Sequence, residues 1–277
     1  MSRARRAYGL RRIGHGGTLD PAVTGVLPLA IGSATRLLPY LSGEKSYRGT
    51  IQLGLRTSTD DLEGEVLEQL PLPALDAVAL HGLLARFQGP IQQRPPQVSA
   101  LHVDGERAYS RVRRGEQLLL PPRPVTIHQL VLLRCDAQRG LLTVAVRCSA
   151  GTYIRSLARD IGDLLGCGGC LAELRRTAAH GFSLEQAVPL EALDADTPPP
   201  LLDPLPALAA LPRQTLEEHQ IEGWRCGRKL EPWPHAAAGL CLDAPVVILL
   251  PSGNLAGIAR CAADGWLQPR LVLEASG

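Results

Sequence analysis

The run Gly14-His15-Gly16-Gly17-Thr18-Leu19-Asp20-Pro21 crowds one carboxylate and one imidazole among glycines and closes on a proline, with Gly25 and Pro28 just beyond. Glycine reaches backbone angles closed to other residues and lets a ligand come near. Pro21 fixes its own φ and biases Asp20 towards extended or turn geometry. Such a loop presents a single acid on a rigid, open frame. An ionised carboxylate held this way can attack a carbon or assist the departure of a leaving group. A turn in which Asp20 bonds only its own backbone fits the same spacing. Other chemistries lack their parts. Cys167-Gly168-Gly169-Cys170 has CxxC spacing, but no second cysteine pair or histidine pair completes a zinc set. No phosphate-cradling loop or dinucleotide fingerprint is present.

Charge narrows the class of partner. Residues 1–182 carry 23 Lys+Arg against 15 Asp+Glu, a net of +8, whereas residues 183–277 carry 6 against 12, a net of −6. The first part therefore reads as the side that meets a polyanion. Arg3, Arg5, Arg6, Arg11 and Arg12 open the chain, and Arg107, Arg111, Arg113 and Arg114 gather beside Tyr109. A solvated basic face fits either cluster alone equally well, but both lie in the same segment as the Asp20 loop, which favours a polyanionic substrate. Seven cysteines without a framework spacing suit reduced thiols in a cytoplasmic protein. No apolar run approaches the roughly 18 residues of a spanning helix, and no signal-peptide pattern opens the chain.

The elements that must carry the acid follow from periodicity. Tyr47, Gly49, Ile51 and Leu53 alternate with Arg48, Thr50 and Gln52, as do Leu142, Val144, Val146 and Cys148 with their neighbours; both read as half-buried strands. Leu80, Leu83, Leu84 and Phe87 make one helical stripe. Ile154, Leu157, Ala158, Ile161, Leu164 and Leu165 make another, with Thr152 as N-cap and Gly166 as stop. Strands interspersed with a few helices predict an α+β fold. Thr57, Thr59 and Asp60 fall in a polar surface loop after the first strand. Seven prolines between 189 and 212 predict a semi-rigid connector. Beyond it, Thr215 and Glu218 read as a capping box for a short helix closed near Gly223. Runs at 245–250, 255–259 and 270–273 then read as strands. The expected units are 1–188, a connector over 189–212, and a small β-rich domain over 213–277.

The loop, extended to Leu41 through Gly32-Ser33-Ala34-Thr35-Arg36, resembles the signature segment of the TruB family of tRNA pseudouridine synthases. Lys45-Ser46-Tyr47-Arg48, Gly151-Thr152-Tyr153-Ile154-Arg155 and Leu174-Arg175-Arg176 resemble its later segments in the same order. Gln93-Arg94-Pro95-Pro96-Gln97-Val98-Ser99-Ala100 and Gly105-Glu106-Arg107-Ala108-Tyr109 resemble a loop region between them. The resemblance covers about residues 9–182. It implies the pseudouridine synthase fold, a mixed, largely antiparallel sheet with flanking helices, and a PUA-like C-terminal domain. It implies that Asp20 is the catalytic residue, partnered by Arg175 or, one residue on, by Arg176. A carboxylate in a closed cleft tends to take up a proton, and a guanidinium beside it opposes this. Tyr47 is implied to pack on the target base, and His15 to fill the space that an everted base leaves. Tyr153, Ile154 and Leu174 are implied to line the same pocket.

The implied substrate is the uridine at position 55 in the T-stem-loop of tRNA, modified by a cytoplasmic, cofactor-free, monomeric enzyme of the bacterial stand-alone type. No membrane or protein partner is implied. Family members open with a strand bearing a Lys-Pro pair and a short helix. Here 13 residues precede Gly14, so the start is shortened or a sheet edge goes unpaired. Two rivals stay open: a non-catalytic tRNA-binding or folding module, and an enzyme acting on a small glycoside with a second carboxylate near Asp20.

Overall fold

Alternating strands dominate the computed structural model, which describes residues 1–99, 101–103, 105–116, 118–231 and 242–273. A seven-stranded sheet runs in the order Phe182–Ser183, Gly169–Ala179, Lys45–Leu53, Leu141–Cys148, Arg123–Asp136, Gly89–Gln93, and Thr24–Gly25 joins it beside Gly169–Ala179. That last pairing is parallel and the others antiparallel. On the two central strands the predicted inward residues are buried: Tyr47, Ile51 and Leu53 on one, Leu142, Val144, Val146 and Cys148 on the other. They form one core, and removal of such apolar surface from water is the main force holding the sheet to its helices.

The helix Ile154–Leu164 closes that core. Ile154, Leu157, Ala158 and Ile161 are buried, as the stripe predicts. Its N-cap is Tyr153 rather than Thr152, and Gly166 follows with φ +74°. Gly162 lets the helix lie directly on the neighbouring strand, since a Cβ there would stand 2.2 Å from Gly169 N. The second helix, Ala77–Ala85, is capped by Asp76, whose carboxylate accepts from Ala79 N at 2.8 Å. Leu80 and Leu84 anchor it, while Phe87 lies past its end.

The proline-rich stretch is packed rather than free. It forms short 3₁₀ turns at Leu190–Asp194 and Leu205–Leu208. Leu208 is buried in one cluster with Leu37, Val247, Ile258 and Leu271, and Tyr8 Oη donates to Pro199 O at 2.6 Å. Leucines set between the prolines supply apolar surface that a solvated spacer lacks. A four-stranded sheet follows in the order Arg213–Thr215, Pro245–Leu249, Leu255–Cys261, Leu267–Val272, over a second core around Trp224. The capping box is Glu217 with Gln220, not Thr215 with Glu218, because Thr215 is still paired in the sheet. The short helix Ile221–Arg225 runs through Gly223 and stops before Gly227. Among the described residues no helix is long and apolar enough to cross a membrane.

Candidate active site

The glycine loop is a folded-over ribbon stitched to the large sheet. Ile13–His15 pairs antiparallel with Leu29–Ile31, which brings both ends of the loop together. Thr24–Gly25 lies along Arg175 and Arg176. Gly25 has φ +106°, and a Cβ there would be 2.1 Å from Arg176 O, so the contact demands glycine. Val26 N donates to that same carbonyl at 2.9 Å. The Arg176 side chain, fully buried, donates in turn to Val26 O at 2.6 Å, Gly17 O at 3.3 Å and Thr18 O at 3.4 Å. His180 braces the other end, its ring nitrogens facing Gly16 O and Ser42 O and its backbone N donating to Glu44 O at 3.1 Å.

Within this frame Asp20 keeps its carboxylate half-exposed, and Arg155 Nη2 meets it at 2.9 Å. Arg155 is buried at the start of the Ile154–Leu164 helix. It donates to Thr59 O and Val98 O at 3.0 Å each and lies 3.4 Å from Asp61. One turn later Arg159 pairs with Asp60 at 2.8 Å. The 57–62 loop is therefore not mere surface. Thr57 is buried, Asp60 sits at φ +61°, and Leu171 N and O bond Asp60 O and Leu62 N. Burial pushes the Asp60 carboxyl up, against the pull of Arg159 and Arg155.

A pocket of about 240 Å³ brings together Asp20, Tyr47, Tyr153, Ile154 and Leu174, five of the residues expected at the site, with Arg155 and Lys45 beside them. Tyr47 is buried beside the Arg176 guanidinium; burial, first, pushes its phenol above its ordinary range. Burial does the same to Tyr153, whose backbone is held by Gln93 through Tyr153 N to Oε1 at 2.8 Å and Nε2 to Tyr153 O at 3.0 Å.

Three expected residues take other places. Arg175 is exposed and does not pair with Asp20. Strand alternation sends Leu174 and Arg176 to one face and Arg175 to the other, where its neighbour across the sheet is Arg48. Arg176 holds the loop's backbone instead of its acid. His15 is exposed outside the pocket lining, and its Nδ1 accepts from Gly17 N at 3.3 Å. The residue that sequence reasoning left without a role is Arg155. Its signal was available, since Arg155, Ala158 and Gly162 follow helical spacing and the two small residues let that stripe sink onto the sheet.

Two glutamates fold against the basic group beside Tyr109. Arg114 pairs with Glu106 and with Glu116 at 2.9 Å, Arg111 meets Glu116 at 2.7 Å, and Arg113 stacks over the Tyr109 ring at 5.5 Å. Arg107's side chain and Ala100 lie outside the described residues. Cys167 and Cys170 are buried free thiols, and burial pushes Cys170 up to about 11.

Comparison with known proteins adds relatives to this geometry. The family model described as the N-terminal domain of TruB family pseudouridylate synthase matches residues 5–154. That of the tRNA pseudouridylate synthase B C-terminal domain matches residues 155–198. The tRNA pseudouridine synthase B of Parasynechococcus marenigrum (strain WH8102) is 61% identical over 279 residues, 100% of this chain and 93% of the relative. That of Synechococcus sp. (strain WH7803) is 57% identical over 284 residues with the same coverage. Two solved structures share the fold. One is an H/ACA RNP bound to a substrate RNA containing 2′-deoxyuridine, with a TM-score of 0.69 at 21% identity over 98% of this chain and 78% of that one. The other is a Cbf5-Nop10-Gar1 complex, with a TM-score of 0.69 at 24% identity over 94% and 73%.

Proposed function

The chain belongs to the TruB family of pseudouridylate synthases, with the α+β fold of that family, and we propose on this premise that it converts the uridine at position 55 in the T-loop of tRNA to pseudouridine. The reaction breaks the N1–C1′ bond, turns the base and joins C5 to C1′; N1 ends with a proton and C5 gives one up. Nothing is oxidised or reduced, and no co-reactant is consumed.

The observation that carries this reading is the Asp20–Arg155 pair at the pocket that also holds Tyr47 and Tyr153. Asp20 is the essential carboxylate, and it serves either as nucleophile or by assisting departure of the base. Arg155, held by two carbonyls and Asp61, fixes the carboxylate's direction. Everting a stacked uridine costs on the order of a few kcal/mol, and an aromatic platform returns about 1–3 kcal/mol. Tyr47 is that platform, with Ile154 and Leu174 closing the sides. His15, at the exposed edge of the loop, takes the space the base leaves. The catalytic unit is 1–188, and the 213–277 unit, which carries 6 Lys+Arg against 7 Asp+Glu for a net of −1, is a PUA-like appendage. The enzyme works as a cytoplasmic monomer on the T-arm, without cofactor or protein partner.

Incubating the protein with an unmodified tRNA transcript and assaying pseudouridine tests this. Asp20→Asn is expected to abolish product while tRNA binding persists. An Asp20→Asn protein that still forms pseudouridine at the parent rate refutes the assignment, and a parent protein that binds tRNA without forming product makes it a binding module.

A further inference from the structure

Lys45 and Tyr47 stand two positions apart on one strand, so their side chains leave the sheet on the same face, and both line the pocket that holds Asp20. Tyr47 lies beside the Arg176 guanidinium there. Among the described residues Lys45 has neither a carboxylate within ion-pair reach nor a side-chain hydrogen bond. Its Nζ rests against Gly17, 3.1 Å from where a Cβ on that glycine would be, and Arg176 Nη1 is 3.9 Å from the same point. Arg176 brings no compensating charge, because Val26 O, Gly17 O and Thr18 O are backbone acceptors. Asp20, the acid of the same pocket, is engaged by Arg155, and Glu44, next to Lys45 in sequence, faces Arg147 and His128.

A half-buried ammonium and a fully buried guanidinium thus lie together with no protein anion set between them. The consequence is visible in the lysine itself: burial, first, and the Arg176 guanidinium, second, hold the ammonium below its ordinary value of 10.5. Like charges in low-dielectric surroundings repel at a cost to stability. An anion arriving from outside removes that cost. RNA carries such an anion at every nucleotide, and its approach to this pocket would otherwise set phosphate against the Asp20 carboxylate.

We propose that Lys45, backed by Arg176, forms an anion subsite that takes a phosphodiester group flanking the everted nucleotide. This rests on the RNA-modifying reading above. Lysine suits the task as a compact point charge on a flexible stem, which can follow a phosphate without a fixed fork geometry.

The test uses the full-length protein and a T-arm RNA hairpin, with affinity measured between 50 and 200 mM KCl for the parent, Lys45→Met and Lys45→Arg. Loss of one phosphate contact is expected to flatten the slope of log K against log salt by about 0.7–0.9 in Lys45→Met, and Lys45→Arg should restore it. In parallel, each phosphate beside the target is replaced by a neutral methylphosphonate. One position should weaken the parent by about tenfold, the scale of a hydrogen bond to a charged group, and leave Lys45→Met no weaker than it already is. Pseudouridine formation by the parent on the unsubstituted hairpin is scored separately, and its failure sinks the enzyme reading. A parent that forms product while binding every methylphosphonate hairpin equally overturns the subsite, even if Lys45→Met does not fold. An unchanged salt slope in a folded Lys45→Met protein overturns it too.

Discussion

Replacing Arg155 and Arg175 by methionine, one at a time, sets the geometry against the simplest reading of the sequence. Arg155 is 7% exposed and engages Asp20 at 2.9 Å, Asp61 at 3.4 Å and the carbonyls of Thr59 and Val98 at 3.0 Å each. Removing one member of a buried pair costs about 3–5 kcal/mol. Asp20 keeps 47% of its side chain in solvent, which brings the expected loss of stability to the low end, about 3 kcal/mol. Misdirection of the carboxylate carries a similar amount into the barrier, and at 1.36 kcal/mol per factor of ten that is at least about a hundredfold in rate. Arg175, exposed on the opposite face, should cost under about 0.5 kcal/mol and leave turnover near that of the parent. Urea unfolding measures the first quantity. Single-turnover pseudouridine formation on an unmodified transcript measures the second. Arg175→Met without activity beside an active Arg155→Met would refute the reasoning.

Gly25→Ala should destabilise by about 4 kcal/mol or more, or fail to fold, because it combines strain at positive φ with a clash against Arg176 O; a denaturation midpoint near that of the parent contradicts this. Tyr47→Phe keeps the ring and gives up only the hydroxyl near Arg176, so single-turnover rates should fall by less than tenfold. Tyr47→Ala also forfeits about 1–3 kcal/mol of stacking and should fall much further, and equal rates in the two variants argue against a stacking role. Lys45 predicts a dependence on pH. Its folded pKa lies below 10.5, so between the two values the unfolded state binds more protons and stability rises with pH. Below that window the whole penalty is present. RNA-free Lys45→Met should therefore melt above the parent at neutral pH, with the gap narrowing as pH approaches 10.5. A gap that widens has the wrong sign.

Much of the scaffold was legible because its signals are local. Alternation at 45–53 and 141–148 sets which residues face the core, and the structure follows it residue by residue. The Asp20 loop declared itself through its glycines, and Tyr47, Tyr153, Ile154 and Leu174 do meet it in one pocket. The misreadings have a common physical origin. Arg175 and Arg176 differ by one position, and a strand sends such neighbours to opposite faces, so register error of a single residue exchanges a loop brace for a solvent-facing cation. Arg155 and the 57–62 loop were missed because burial of polar groups is decided by partners distant in sequence. Arg155 reaches Thr59 across 96 positions and Arg159 reaches Asp60 across 99. Glu106 and Glu116 fold against Arg111 and Arg114 near Tyr109, a pairing that the spacing of the arginines does not announce.

The pairing of Thr24–Gly25 with Arg175–Arg176 also dictates when the acid's loop gains its brace during the protein's own synthesis. The acid's segment is translated well before its brace, because the carbonyl that receives Val26 N and the guanidinium that bonds Val26 O belong to a residue 150 positions later. A growing chain that stops short of Arg176 holds the Asp20 ribbon by its own pairing of Ile13–His15 with Leu29–Ile31 and lacks the later brace. The ribbon that presents Asp20 is therefore braced only after the Gly169–Ala179 strand has been made.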